Sequence, residues 1–221
     1  MIATIGSMLS ITGSGQLNSY MFKEVYQNTS VMTISSLLSL PVMFIAFPLV
    51  PKLVKKFGKK NVILISAAFG LVINLFKIFV YIDNVYVYMG LNLLQMVGQT
   101  AFTMLIWALV SDCLDYSEWK FGIRSDGSMY SLYTFSRKIG STVASAGVAA
   151  SLGLIGYVAG ADVVQSASTV NGIYYLVNMV PVVTCLIELI GIGLIFNLDQ
   201  KTTDKMYKEM AARRAKIVEL Y

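Results

Sequence analysis

Apolar residues along the chain fall into runs of roughly 20 residues, separated by short polar stretches. A run of about 20 residues is long enough to cross the ~30 Å hydrocarbon core of a bilayer as one α-helix. The runs are too long for the ~10-residue alternating strands of a membrane β-barrel. The pattern therefore predicts an all-α polytopic membrane protein with six transmembrane helices, at residues 2–22, 31–50, 61–82, 86–110, 128–158 and 172–197.

The composition excludes several other classes of protein. Hydrophobic residues make up 56% of the chain and charged residues 13%, whereas a soluble domain averages about 25% charged residues. The chain has two cysteines and no histidine, so disulfide frameworks, zinc–histidine sites, Ser-His-Asp triads and histidine proton relays are excluded. We therefore expect neither an enzyme nor a metal site.

The basic residues cluster in three of the polar stretches. These stretches contain Lys52, Lys55, Lys56, Lys59 and Lys60; then Lys120 and Arg124; then Lys201, Lys205, Lys208, Arg213, Arg214 and Lys216. The other connections hold Lys23, Glu24, Asp83 and Asp162. The positive-inside rule then places both termini in the cytoplasm of a multi-pass cell-membrane protein. The net charge of +5 thus reflects membrane orientation and does not indicate a nucleic-acid partner.

The two ends of the chain differ in character. Residues 1–199 are predicted to form the six-helix bundle, and residues 200–221 a charged, amphipathic cytoplasmic helix. The first span begins directly after Met1 and is rich in Gly, Ser and Thr, so it is expected to face protein or a water-filled cavity. Its abrupt start raises the hypothesis that the chain is part of a longer protein.

Two charged residues inside the predicted spans are expected to be structural. Lys77 lies about five residues from the outer end of span three, where its stem can reach the membrane interface. Glu188 lies nearer the middle of span six. It is expected to pair with a base, and a proton-carrying role is the alternative.

Two further charges, Arg137 and Lys138, lie about 15 Å deep in span five. Adjacent residues point about 100° apart on a helix, so we expect one to bind substrate or an anion and the other to pair with a carboxylate. Tyr130, Tyr133 and Thr134 lie nearby. A hydroxyl, an ammonium and phenol rings on one face suit a sugar, and a packed polar bundle interior is the alternative.

Small residues follow in span five, namely Gly140, Ala144, Gly147 and Ser151. At helical spacing such residues let transmembrane helices approach closely. We therefore interpret them as a packing face and not as a ligand site.

The stretch Trp107–Tyr157 closely resembles helices ten and eleven of the glycoside–pentoside–hexuronide:cation symporters, the melibiose-permease-like branch of the major facilitator superfamily. The resemblance rests on Asp-Cys-Leu-Asp-Tyr-Ser-Glu-Trp-Lys at 112–120 and Phe-Ser-Arg-Lys-Ile-Gly at 135–140. The basic sequence at 51–60, Pro-Lys-Leu-Val-Lys-Lys-Phe-Gly-Lys-Lys, resembles the turn between helices eight and nine. The resemblance spans essentially the whole chain but only the C-terminal half of a twelve-helix transporter, whose halves are 3+3 inverted repeats.

This resemblance implies symport of a glycoside, pentoside or hexuronide, driven by Na⁺ or H⁺. It implies no cofactor besides the coupling ion, whose main ligands belong to the N-terminal half. The expected partners are membrane lipid, the sugar, and either an N-terminal six-helix half or a second copy of the chain. The substrate-binding candidates from the resemblance are Lys138, Thr134, Tyr133 and Trp107. Tyr130 is added for its aromatic ring near Arg137 and Lys138, and Asn18, Tyr20 and Gln99 are added on polarity and depth.

A predicted loop between spans four and five carries further charges, for which we expect a gating role. The gating candidates are Asp112, Asp115, Glu118, Lys120 and Arg124, together with Arg137 from span five. Charge pairs at this position would hold the transporter closed on the cytoplasmic side and break when access switches. The alternative is that solvated charges only cap two helix ends.

Three alternatives to a symporter half stay open. The chain could work as a homodimeric six-helix carrier, or it could be a non-transporting subunit that docks on a separate N-terminal half. A membrane enzyme is the third alternative, and the lack of histidine and the position of the carboxylates in loops disfavour it.

Overall fold

The computed structural model describes residues 1–160, 163–196, 198 and 200–218, and these form seven α-helices and no strand. The helices are α1 (Ile2–Tyr20), α2 (Thr29–Phe57), α3 (Lys59–Phe79), α4 (Val85–Phe121), α5 (Asp126–Leu154), α6 (Ala167–Ile190) and α7 (Gln200–Val218). The π-helical turns Met21–Val25 and Gly191–Ile195 extend α1 and α6. Asp162 and the side chains of Lys201, Arg214 and Lys216, which contributed to the predicted charge pattern, lie outside the described residues. The predicted all-α fold is confirmed.

Four of the described helices are long and apolar enough to cross a membrane, namely Thr29–Phe57, Lys59–Phe79, Val85–Phe121 and Ala167–Ile195. The predicted spans in α1 and α5 are not apolar enough to be counted with these four helices. Both are rich in Gly, Ser and Thr, and α5 also carries two bases. The outer surface of α2 exposes large apolar side chains, with Phe44 at 72% and Ile45 at 63%. Such a surface suits lipid and not water. The fold is that of a membrane protein, and the count of six spans stays a prediction.

The first six helices run alternately up and down. Helix α1 packs against α5 and α6, while α3 packs against α4 and α6 and α2 packs against α4. We call the end that carries the α2–α3 turn, the α4–α5 connection and α7 the basic end. One apolar cluster around Ile63, Phe102 and Leu105 lies nearer the basic end. A second cluster around Leu17 and Tyr174 lies nearer the opposite end.

Two segments predicted as loops are helical. Residues 51–57 continue α2, because Val50, Leu53 and Val54 keep an apolar face against the core until Gly58, at φ +82°, ends the helix. Residues 112–120 continue α4, which ends only at Gly122 in the left-handed conformation. The charges in these segments therefore lie on rigid helices, and the prediction of charged loops is wrong.

Residues 200–218 form a helix, as predicted, and this helix packs against α4. Met206 and Met210, on the inner face of α7, are buried. The indole Nε1 of Trp119 donates to Glu209 at 2.7 Å, and Arg213 donates to the carbonyl of Trp119 at 3.1 Å. Helix α7 is therefore docked on the extension of α4.

The close contact between α1 and α5 depends on a glycine. A Cβ at Gly140 would lie 2.7 Å from Met8 Cβ and 3.0 Å from the carbonyl oxygen of Ile5. A Cβ at Gly147 would meet nothing within 4 Å. The packing face predicted in α5 is therefore present at Gly140, whereas Gly147 points away from the neighbouring helices.

Replacing Gly140 by leucine is expected to destabilise the bundle by about 1–3 kcal/mol, because overpacking forces α1 and α5 apart. Thermal unfolding of the protein in detergent, followed by circular dichroism, measures the effect as a lower midpoint. Gly147→Leu is the matched control and should leave the midpoint nearly unchanged. Equal midpoints for the two variants would contradict the close contact.

Candidate functional site

An open cavity of about 440 Å³ lies beside α5, between it and residues of α1 and α4. It is lined by Met8, Trp107, Tyr130, Tyr133, Thr134, Arg137, Lys138 and Ser141. A larger groove of about 740 Å³ continues along the outer face of α5 and shares Tyr130, Thr134 and Lys138 with this cavity. The structure thus brings together five of the eight substrate-binding candidates, on α4 and α5.

Aromatic rings form one wall of the cavity. The ring centroid of Trp107 lies 4.6 Å from that of Tyr133 and 5.6 Å from that of Tyr130. Tyr133 is buried, whereas Tyr130 is 55% exposed and Trp107 39%. Exposed aromatic faces of this kind can pack against the C–H face of a sugar ring, and their polar atoms remain accessible for hydrogen bonds.

We expected one of these bases to bind substrate or an anion and the other to pair with a carboxylate, but Arg137 and Lys138 both line the cavity. The cavity is wide and open, and long flexible side chains 100° apart on the helix both reach it. The Arg137 guanidinium carbon lies 5.8 Å from the centroid of the Tyr133 ring. Neither base forms an ion pair with any carboxylate among the described residues, and the expected partner on a neighbouring helix is not found.

The surface around the cavity is polar at the depth of the predicted membrane. Thr134 and Lys138 are exposed on α5. Gln16 of α1 donates to the hydroxyl of Ser145 at 3.0 Å, and both residues are exposed. Polar groups at this depth are costly against hydrocarbon, so this face requires either water or another protein surface.

Three predicted substrate-binding residues lie elsewhere. Asn18 has a buried side-chain oxygen with no hydrogen-bond partner among the described residues. Tyr20 packs edge-on against Tyr157, with ring centroids 5.1 Å apart. Gln99 is 3.4 Å from the Ser7 hydroxyl, and it lines a separate cavity within the bundle. Polarity and depth in the sequence were therefore not sufficient to assign these three residues to the cavity beside α5.

Two residues that line the cavity were missed from the sequence. Ser141 lies four residues after Arg137, on the same side of α5, so helical spacing could have found it. Met8 comes from α1 and carries no polar signal. Its position depends on how α1 packs against α5, which the sequence does not reveal.

The predicted gating charges form two groups at the basic end, and Asp112 is the centre of the first. Asp112 is 2% exposed, and the Lys59 ammonium lies 2.7 Å from both of its carboxylate oxygens. The Tyr207 hydroxyl of α7 donates to Asp112 at 2.6 Å. Burial and this hydrogen bond raise the pKa of Tyr207. Lys59 and Tyr207, both missed from the sequence, thus connect α3 and α7 to α4.

Arg124 is the centre of the second group. Its Nη1 lies 2.8 Å from carboxylate oxygens of both Asp115 and Glu118, and its Nε lies 3.0 Å from Asp126. Hydrogen bonds with these carboxylates raise the pKa of Arg124 above its usual range, and the hydrogen bond with Glu118 makes the largest contribution. Because Asp126 begins α5, this arginine connects the end of α4 to the start of α5.

Lys120 belongs to neither group. Its Nζ bonds to the Tyr116 hydroxyl at 3.0 Å, and it forms no ion pair within the described part of the chain. Arg137 lies in the open cavity and not with the charges at the basic end. The structure therefore separates Lys120 and Arg137 from the other predicted gating residues.

The remaining intramembrane charges, Lys77 and Glu188, differ from expectation. Lys77 is 1% exposed and donates to Asn92 at 2.8 Å and Gln95 at 3.0 Å, so it does not extend to the membrane interface. Its contacts agree with a structural role. Glu188 is 3% exposed, and one of its carboxylate oxygens has no hydrogen-bond partner among the described residues. The expected ion pair of Glu188 is not formed there.

A bundle of apolar helices with an open, polar and positively charged cavity has the architecture of a polytopic membrane transporter. Residues 1–200 match the family described as MFS/sugar transport protein. The chain belongs to this family, and the resemblance found in the sequence is confirmed.

Curated relatives agree with this assignment. The chain is 33% identical over 183 residues to "Uncharacterized symporter YjmB" of Bacillus subtilis, covering 83% of the chain and 38% of the relative. It is 31% identical over 198 residues to "Putative sulfoquinovose importer" of Salmonella typhimurium, covering 88% and 41%. It is 32% identical over 189 residues to "Glucuronide carrier protein homolog" of Escherichia coli, covering 85% and 40%. The chain thus spans about two fifths of the length of these relatives.

Proposed function

We propose that this chain is the C-terminal half of a cation-coupled symporter for anionic sugars. The observation that carries the proposal is the open cavity, in which two bases without carboxylate partners among the described residues lie beside exposed aromatic rings. The chain would act as a carrier and not as an enzyme. An N-terminal six-helix half would cover the polar face of α1 and α5, and sugar would bind between the halves.

The exposed polar face supports the need for a second half. Thr134, Lys138 and the Gln16–Ser145 pair lie on the outside of the described bundle, where hydrocarbon would leave their polar groups unsatisfied. The match to about two fifths of the relatives' length supports the same conclusion. A second copy of the chain could also cover this face, and the transport experiment below distinguishes the two cases.

The two bases support an anionic substrate. A guanidinium and an ammonium bind carboxylate or sulfonate oxygens through charge-assisted hydrogen bonds, which are stronger than neutral ones. Two of the relatives are named for a glucuronide and for sulfoquinovose. In this proposal Arg137 and Lys138 bind the anionic group, Thr134 binds a sugar hydroxyl, and Trp107 and Tyr130 pack against the ring.

The charges at the basic end support a membrane orientation for the chain and a mechanism for switching access to the cavity. By the positive-inside rule this end, with both termini, would face the cytoplasm of a cell membrane. The ion pairs of Asp112 and Arg124 would hold the cytoplasmic side closed and rearrange when the two halves rock. The main ligands of the coupling ion, Na⁺ or H⁺, would come from the N-terminal half.

Uptake into proteoliposomes tests the proposal. With the chain alone we expect no saturable uptake of labelled glucuronide under an imposed Na⁺ or H⁺ gradient, because half of the substrate and ion sites is missing. Adding an N-terminal six-helix half should restore uptake. A glucuronide should then compete at least about 10-fold better than the neutral glucoside of the same size, since one charge-assisted bond contributes about 1.5–3 kcal/mol.

Two results would contradict the proposal. Saturable, gradient-driven uptake by the chain alone would show a homodimeric carrier in place of a symporter half. Equal competition by the glucuronide and the neutral glucoside would show that the bases do not select an anion. Collapse of the gradient with an ionophore is the control for coupling.

A further inference from the structure

A second cavity lies inside the bundle, away from the sugar cavity, and Glu188 is part of its wall. This cavity of about 10 Å³ lies between α3, α4 and α6, and its lining includes Gly70, Gln95, Gln99, Cys185 and Glu188. It has room for about one water molecule. We call it the Glu188 cavity.

Close helix packing shapes the Glu188 cavity. A Cβ at Gly98 of α4 would lie 3.0 Å from the carbonyl oxygen of Ser66, and a Cβ at Gly70 would lie 3.3 Å from the Cys185 sulfur. The two glycines therefore bring the three helices together around the carboxyl group. The wall also carries the side-chain amides of Gln95 and Gln99.

Glu188 itself lacks the partners that a buried carboxylate needs. It is 3% exposed, and its Oε1 has no hydrogen-bond partner among the described residues. An ionised carboxylate in a low-dielectric interior is costly unless it is paired and hydrogen-bonded, and such a group usually becomes neutral instead. Binding one proton neutralises it with no need for further space.

The charged side chains of α3 do not offset the negative charge of an ionised Glu188. On α3, Lys77 donates to Asn92 and Gln95 and forms no ion pair with Glu188. At the other end of α3, Lys60 binds the carbonyl oxygens of Gly193 at 3.2 Å and Phe196 at 2.5 Å.

The other two neighbouring helices add little charge near the cavity. On α6 itself, among the described residues, Cys185 is the one other ionisable residue that lines the cavity. The α4 lining consists of amides, a glycine and Phe102. In α1 the one ionisable side chain, Tyr20, packs against Tyr157 at the opposite end of the bundle.

A polar route leads from the cavity toward Lys77. The Oε1 of Gln95 accepts a hydrogen bond from Lys77 at 3.0 Å, while the same residue lines the Glu188 cavity. Lys77 also lies over the ring of Tyr88, with its Nζ 5.2 Å from the centroid. Gln95 thus bonds to the buried ammonium of Lys77 and lines the same cavity as the Glu188 carboxyl group.

We propose that the Glu188 cavity is a proton-binding site within these six helices, with Glu188 as the group that binds and releases the proton. The site deepens the proposed cation-coupled transport, on which its physiological role rests. It also differs from the expected arrangement, because it puts a coupling-ion ligand in this chain in addition to those of the N-terminal half. Gln95 would connect protonation of Glu188 to the charge on Lys77.

Infrared difference spectroscopy tests this directly, without any transport assay. The 221-residue chain is reconstituted in lipid nanodiscs, and spectra are recorded between mildly acidic and mildly alkaline pH. We expect a carbonyl band of a protonated carboxylic acid that disappears as pH rises and shifts in D₂O. Glu188→Gln, which keeps the shape of the side chain, should lose this band.

Controls separate the site from general effects. Glu24→Gln is the matched control, because Glu24 forms an ion pair with Lys23 at 2.9 Å and a hydrogen bond with Tyr157, so its removal should leave the band unchanged. Circular dichroism checks that Glu188→Gln remains folded. Glu188→Asp provides a second variant, in which the band should persist at a shifted frequency.

Three outcomes would overturn the proposal. The first is a wild-type spectrum with no protonated-carboxyl band across the pH range, which would mean that Glu188 stays ionised. The second is a band that survives unchanged in Glu188→Gln. The third is a band that disappears when Na⁺ is added at constant pH, which would assign the site to sodium instead of the proton.

Discussion

Replacing Lys138 by alanine is expected to abolish coupled uptake by a transporter assembled from this chain and an N-terminal half. Lys138 is exposed in the cavity beside Arg137 and has no carboxylate partner among the described residues, so its charge is available to the substrate. Loss of a charge-assisted hydrogen bond costs about 1.5–3 kcal/mol. This corresponds to a loss of about 10- to 100-fold in apparent affinity, and uptake at low substrate concentration should fall to background.

The measurement is the initial rate of labelled glucuronide uptake, normalised to the amount of protein in the membrane. Membrane insertion should be unchanged, because Lys138 forms no ion pair within the described bundle. Lys138→Arg should retain part of the activity. Lys208→Ala on the exposed surface of α7 is the matched control for the loss of one lysine.

Unaltered uptake by Lys138→Ala would contradict the proposed site. A double mutant adds a sharper test of the role of Arg137. If both bases bind the same anionic group, the effects of Lys138→Ala and Arg137→Ala should be non-additive. Strictly additive losses would mean that the two bases bind different parts of the substrate or that one acts indirectly.

Hydropathy predicted the positions of the long helices well, because a membrane span needs a run of apolar residues regardless of its neighbours. It failed at the helix ends. The charges of 112–120 suggested a loop, yet the segment is helical as far as Phe121. Docking of α7 through Trp119, Glu209 and Tyr207 supplies partners for that extension, and such tertiary contacts are absent from a hydropathy pattern.

The cavity beside α5 could be predicted in part from the sequence, because most of its lining comes from one helix. Tyr130, Thr134 and Lys138 lie on one side of a single helix, and helical spacing brings them together. Trp107 comes from another helix, and its placement relied on the family resemblance. Met8 could not be predicted, since no local rule states which part of α1 meets α5.

Lys77 and Glu188 show that the depth of a charged residue in a predicted span does not by itself predict its partners. Lys77 is near the end of its helix and was expected to reach the interface, but amide oxygens of Asn92 and Gln95 hold it inside. Glu188 was expected to have a basic partner, and none is found among the described residues. Both outcomes depend on which faces of α3, α4 and α6 meet, and this is information about packing.

Reversing the charge at Asp115 is expected to open the crevice between α4 and α5 at the basic end. Arg124 bonds Asp115 and Glu118 of α4 together with Asp126 of α5, so a lysine at position 115 would place two cations side by side. Each exposed pair contributes about 0.2–1 kcal/mol. Loss of one pair plus repulsion should total about 1–2 kcal/mol, which raises the open population by about 5- to 30-fold.

Cys113 offers a native reporter of this opening. It lines a crevice of about 270 Å³ together with Met1 of the N-terminus, Met129 and Leu132 of α5, and Phe196. The only other cysteine, Cys185, is buried and can be replaced by serine. The rate of maleimide labelling of Cys113 then reports the open population, because opening the crevice raises the accessibility of the half-buried Cys113 sulfur.

A graded series makes the result specific to the Arg124 pairs. Asp115→Asn removes one pair without adding a charge, so its labelling rate should lie between those of wild type and Asp115→Lys. Asp83→Lys makes the same charge change at an exposed position at the opposite end and should label at the wild-type rate. If all three variants label at the wild-type rate, the charges around Arg124 only cap two helix ends. A rate that rises with the loss of Arg124 partners would instead show that these ion pairs keep α4 and α5 closed.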